Sequence, residues 1–151
     1  MKHKGIRFAL VIIEAFIGLG AIGGGIALLI GAFAQWLPVA FLQGTPFSDY
    51  TIPGLVLTFV VGGGMLLAAA TLFLQREWAL LLSAAMGLIM IGWEIVEVTI
   101  IDRYEQAVVP STVVQQVLFS GLGLAIFGLA AYLWMTEYRR RHFPTRHVSH
   151  A

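Results

Sequence analysis

Residues 53–101 read PGLVLTFVVGGGMLLAAATLFL, then QRE, then WALLLSAAMGLIMIGWEIVEVTII. Two apolar runs, 53–74 and 78–101, are separated by only Gln75, Arg76 and Glu77. At 1.5 Å per residue each run reaches about 33–36 Å as a helix, enough to cross about 30 Å of hydrocarbon. Three residues allow only a tight antiparallel turn, so the pair predicts a transmembrane hairpin. Working outward, Phe8–Ala34 and Val113–Met135 are long enough for two further spans. The expectation is an all-α, four-helix transmembrane bundle over residues 1–138, followed by a basic tail, 139–151.

Composition agrees. Of the 151 residues 59% are apolar and 11% charged, with a mean hydropathy of +0.88. Soluble domains carry about 45–50% apolar and about 25% charged residues. A net charge of +1 argues against nucleic-acid binding, which depends on basic residues meeting phosphates. The absence of cysteine excludes disulfides and thiolate chemistry. Length leaves no room for a soluble catalytic module beside the spans.

Orientation follows from the placement of Lys and Arg. Lys2, Lys4, Arg7, Arg76, Arg139, Arg140, Arg141 and Arg146 fall on one side, which is eight of the nine basic residues. Arg103 faces them from the other side, beside Asp49, Asp102 and Glu105. Both termini are therefore expected in the cytoplasm and the chain in the cell membrane. Ala32-Phe33-Ala34 imitates a signal-peptide cleavage site. The apolar stretch before it is far longer than the roughly 7–15 residues of such a peptide, and Glu14 interrupts it.

Local signals set the helix ends. Pro53, after Thr51, reads as the first-turn proline of the second helix. Thr112 and Gln115 have the spacing of a capping box at the start of the fourth.

The first span is glycine-rich. Gly18-Leu19-Gly20-Ala21-Ile22-Gly23 matches G-x-G-x-x-G, yet that fingerprint binds dinucleotides only where a strand turns into a helix. Inside a span the glycines read as packing surfaces, because small residues let helix backbones approach in lipid. Gly20, Gly24, Ala27 and Gly31 form one such face; Gly18, Ala21 and Gly25 form another. Two faces predict packing on both sides, against other spans, a partner membrane protein or a second copy of the chain.

Acids inside spans are costly, so each marks a functional hypothesis. Glu94 and Glu97 share a face of the third helix with Ser83, Gly87 and Met90. They lie about 10 Å and 6 Å inside its outer end. Gln116 and Ser120 on the fourth helix lie about 6 and 12 Å from the same surface, and Thr58 on the second is at similar depth. An outer-leaflet cluster of Glu94, Glu97, Gln116, Ser120 and Thr58 is expected. Two carboxyls so close in a low dielectric do not both ionise easily, which suits a proton-exchanging or cation-coordinating site. The plainer reading is a hydrogen-bond network that fixes helix register. Glu14, about 9 Å in from the cytoplasmic side, is expected to meet Arg7 or a small watered pocket, about 14 Å of axial distance from Glu94.

The loop from Gln35 to Ile52 is aromatic and proline-bearing (Trp36, Pro38, Phe41, Phe47, Tyr50), as suits a segment lying in the interface. Asp49 and Tyr50 are expected at the rim of a cavity above Glu97, or in a lid sealing the bundle. Gly44-Thr45-Pro46-Phe47-Ser48-Asp49-Tyr50-Thr51-Ile52-Pro53-Gly54 resembles a segment of small, uncharacterised four-span bacterial membrane proteins, with weaker similarity in the glutamate-bearing helix. That resemblance implies the four-span fold and no activity. A looser likeness, of architecture alone, is to DoxX-like membrane proteins.

His3, His142, His147 and His150 all lie outside the spans, so no buried imidazole can ligate haem, and their spacing fits no standard metal site. No nucleophile–base pair, metal cluster or phosphate loop is present. No cofactor, no metal and no catalysis are expected. The sequence points first to a non-enzymatic accessory or scaffold subunit. The alternative is a minimal proton- or cation-coupled carrier using Glu94 and Glu97 in an outward-facing polar cavity.

Overall fold

A computed structural model describes residues 4–101 and 110–142. Its long elements are α1 (Lys4–Leu29), α2 (Thr51–Phe73), α3 (Ala79–Ile101) and α4 (Pro110–His142). All four are long and apolar enough to cross a membrane, and no strand occurs among the described residues. Neighbours follow chain order round a ring, α1–α2–α3–α4, which closes where α4 meets α1. Large apolar side chains cover the outward faces: Phe16, Leu19, Phe59, Ile95 and Val117 are each more than 60% exposed. A bundle apolar on its outside as well as in its core is built for lipid. The core holds Leu10, Ile17, Met65, Leu72, Met86, Ile126 and Leu133.

α1 stops earlier than hydropathy alone predicts, at Leu29 rather than Ala34. Gly31, at φ +72°, takes the left-handed conformation that ends the helix. The Gly31 N–H donates to Leu28 O (3.1 Å) and the Ala32 N–H to Ala27 O (2.9 Å), the bond pair of a Schellman motif. Gly31 is thus a helix stop, not part of a packing face.

α2 ends in the same motif with a residue less suited to it. Gln75 sits at φ +53°, its N–H donating to Leu72 O (3.1 Å) while the Arg76 N–H donates to Thr71 O (3.0 Å). α2 begins at Thr51, so Pro53 is in the first turn, where a missing N–H removes no helical bond.

Within α2, residues Val56–Gly63 form a π-helical segment, and the packing supplies its reason. Gly54, Thr58, Gly62 and Leu66 all touch α1, against Leu29, Gly25, Ile22 and Gly18 in turn. A repeat of four residues drifts about 40° per step on an α-helix. Widening the turn by one residue holds the four contacts in one line. Glycine lets these backbones meet: a Cβ on Gly62 would stand 3.0 Å from Gly18 O, and one on Gly87 would stand 2.8 Å from Gly123 O across the α3–α4 contact.

The capping pair at Thr112, the acidic and basic residues at 102–105, the arginines at 139–141 and the four histidines lie outside the described side chains. The backbone of 139–142 continues α4 beyond the span, which ends at Glu137.

Candidate functional site

Polar residues inside the bundle fall into two layers. The inner layer is Glu14 on α1 and Ser83 on α3, both fully buried. α1 and α3 have no backbone approach to each other, so these side chains meet across the middle of the ring. The Ser83 hydroxyl faces the Glu14 carboxyl without closing a hydrogen bond, and neither Glu14 oxygen has a protein partner.

The outer layer is centred on Glu94, only 3% exposed, whose Oε2 also lacks a partner. Glu97, half-buried, is near enough for its charge to act on Glu94. The Trp93 indole, one turn earlier on the same helix, is the polar neighbour of Glu97. On α3, Ser83, Gly87, Met90 and Glu94 are all buried, and Ser83 and Glu94 are about 16 Å apart along the helix.

Gln116 and Ser120 are half-buried on α4. Gly123 abuts Gly87. Gln116 stands about 10 Å outward of Gly123, and Glu94 about 10 Å outward of Gly87, so the two are level. Thr58 is placed differently from the sequence expectation. Its buried hydroxyl lies against Gly25 of α1 without a hydrogen-bond partner, because the π-helical segment turns it to the α1 contact.

Arg7 does not reach Glu14. Its guanidinium grips Glu137 of α4 through two 2.8 Å bonds, with side chains 23% and 31% exposed. This pair puts the start of α1 and the end of α4 at one end of the bundle. Nothing in the sequence joined these two residues, which are 130 positions apart; only the closing of the ring does.

Asp49 and Tyr50 line an open recess of about 450 Å³ with Leu28, Gly31, Phe33, Leu37 and Pro38. No α3 residue belongs to its wall, so this recess is not a mouth above Glu97. Asp49 begins α2: the Thr51 N–H donates to Asp49 Oδ1 (2.8 Å) and holds its carboxyl below the usual carboxylate range. The Tyr50 hydroxyl donates to Pro38 O (3.4 Å), and burial pushes that phenol up from its ordinary value.

The glycines divide as well. Gly18 and Gly25 are used inside the bundle, against Gly62, Leu66, Gly54 and Thr58. Of the other face, Gly20 has nothing within 4 Å of an added Cβ, and Gly24 meets only Leu57, at 3.6 Å.

Among the described residues, no group of three His, Asp or Glu side chains comes together to hold a metal ion. Compared with protein-family models, with curated proteins and with solved structures, the chain matches none.

Proposed function

We propose that this chain is a small, non-enzymatic membrane protein that binds protons or a small monovalent cation at Glu94 and Glu97 and carries them through its bundle. The observation behind this reading is Glu94, buried in a helical interior with a carboxyl oxygen that no protein group satisfies. Leaving such an oxygen unpartnered costs at least about 1–3 kcal/mol, so a purely structural acid here would be a poor choice for the fold. A proton or cation on the pair removes that cost. Glu97, Trp93 and the level Gln116 offer further polar groups beside it.

The accessory-subunit reading rests on the glycine faces of α1: Gly18 and Gly25 are used within the chain, while Gly20 and Gly24 are left open. Orientation in this proposal follows the basic residues, with both termini cytoplasmic and Glu94 in the outer half of a cell membrane.

Dicyclohexylcarbodiimide tests the site, since its reaction needs a carboxylic acid in an apolar setting. The acid O–H adds across a C=N bond, and the acyl group then shifts to nitrogen, leaving a stable adduct. Peptide mass mapping should find that adduct on Glu94 or Glu97. Protection by sodium or potassium chloride would identify a cation site, and labelling indifferent to either salt a proton site. A folded protein unlabelled at both positions would overturn the proposal.

A further inference from the structure

The bundle contains a second buried acid that the Glu94–Glu97 site does not use. Glu14 and Ser83 are each fully buried, they face each other across the ring, and neither carboxyl oxygen of Glu14 has a protein donor. Leu10 and Ile17 lie one turn to either side of Glu14 on α1, both in the apolar core. On α4 the core residues Ile126, Ala130 and Leu133 lead down to Glu137. The heights match. Arg7 to Glu14 is seven residues and Glu137 to Ala130 is seven residues, about 10 Å each. From the Arg7–Glu137 pair inward, the levels are therefore Leu10 with Leu133, then Glu14 with Ala130, then Ile17 with Ile126. Ala130 is the small member, set level with the acid.

An ionised carboxylate without partner or water costs several kcal/mol in such surroundings, and the acid form far less. Among the described residues, no cation stands level with Glu14 to compensate it. The ionisable side chains described on the four helices are Lys4, Arg7 and Glu14 of α1, Glu94 and Glu97 of α3, and Tyr132 and Glu137 of α4; α2 carries none. Of the two cations among these, Arg7 is engaged by Glu137, and Lys4 is exposed at the first residue of α1, about 15 Å along the helix from Glu14.

We infer that Glu14 and Ser83 form a separate proton-binding site in the half of the bundle nearest the termini, closed from that end by the Leu10–Leu133 layer and the Arg7–Glu137 pair. The carboxylic acid holds the proton and the Ser83 hydroxyl is its hydrogen-bonding neighbour. Ser83 and Glu94 lie on one buried stripe of α3, so the two acids are stations at different depths along the same interior. The site stands whether or not Glu94 carries anything.

Infrared spectroscopy of the full chain in lipid tests it, because a neutral acid and a carboxylate absorb in different regions. Spectra are compared in a Glu94→Gln, Glu97→Gln background, where Glu14 is the remaining acid deep in the spans. At neutral pH, Glu14→Gln should remove one acid carbonyl band. Ser83→Ala, which keeps the acid, should shift that band to higher frequency. Replacing both Arg7 and Glu137 by Gln should speed its hydrogen–deuterium exchange about threefold, the scale set by a partly exposed ion pair. An acid band untouched by Ser83→Ala, or loss of carboxylate bands in place of an acid band in Glu14→Gln, overturns the inference. If Glu94 and Glu97 both prove unlabelled by carbodiimide while the Glu14 band behaves as described, the proposed transport site falls and this one remains.

Discussion

Replacing Gly25 by alanine should destabilise the bundle, whereas the same change five residues earlier, at Gly20, should stabilise it. At Gly25 the new Cβ would lie 2.7 Å from Gly54 O and 2.8 Å from Thr58 N, both backbone atoms of α2. Backbone cannot swing aside as a side-chain tip can, so α1 and α2 must separate by several tenths of an ångström. Overpacking of this kind costs about 1–3 kcal/mol. Against it stands the helix-propensity gain of Gly→Ala, about 1 kcal/mol. The net expectation is a loss of about 1–2 kcal/mol at the upper part of that range. At Gly20 nothing lies within 4 Å of the added Cβ, and only the propensity gain remains, about 1 kcal/mol. Equilibrium unfolding in mixed lipid–detergent micelles, followed by helical circular dichroism, reads both. Opposite signs are required; a destabilised Gly20→Ala monomer, or a Gly25→Ala protein as stable as wild type, would refute the packing described for α1.

Three further outcomes follow from local geometry. Gln75→Gly relieves a left-handed residue at the end of α2 and should stabilise the protein by about 1 kcal/mol in the same unfolding assay; a loss would contradict the motif. Deleting Val60 brings the α1-facing spacing of α2 from 4-4-4 to 4-3-4, the pattern that an ordinary α-helix keeps on one face. The deletion variant should still unfold cooperatively, while an alanine inserted at the same point should not fold; the reverse order would rule out the role given to the π-helical segment. Asp49 has its folded-state pKa lowered by the Thr51 N–H, so its stabilisation is present above the ordinary carboxylate pKa. It is lost as pH falls through the lower folded value. Protection of the Thr51 amide, relative to its intrinsic exchange rate, should therefore fall in acid, and Asp49→Ala should be unprotected at every pH. Slow exchange in that variant would remove Asp49 as the group that starts α2.

The four spans were legible because lipid leaves so few solutions: long apolar runs and one three-residue connection define them. The buried stripe of α3 was equally visible, since Ser83, Gly87, Met90 and Glu94 recur at helical spacing. Other features needed the third dimension. Hydropathy could not stop α1 at Leu29, because Ile30, Ala32 and Phe33 are as apolar as what precedes them; the stop is conformational and sits in Gly31. Angle separates Gly18 and Gly25 from Gly20 and Gly24 but does not say which face meets α2, and Gly31 ends the helix instead of continuing a face. The four-residue repeat Gly54, Thr58, Gly62, Leu66 was present in the sequence, yet it reads as drift unless a π-helical turn is allowed, and so Thr58 was grouped with Glu94. Arg7 was near enough in sequence to suggest Glu14 as its partner. The ring closure instead brings Glu137 within 2.8 Å, where both charges keep part of their solvent.

Proton movement across liposomes tests the central claim most directly. Wild-type protein and Glu94→Gln would be reconstituted at equal folded amounts around a trapped pH-sensitive dye, a pH step applied outside, and potassium with valinomycin used to clamp the potential. The expected result is a faster internal pH change for wild type than for empty liposomes, and a return to the empty rate for Glu94→Gln. Equal rates for wild type and Glu94→Gln, or a wild type no faster than bare lipid for protons and for sodium alike, would contradict the account.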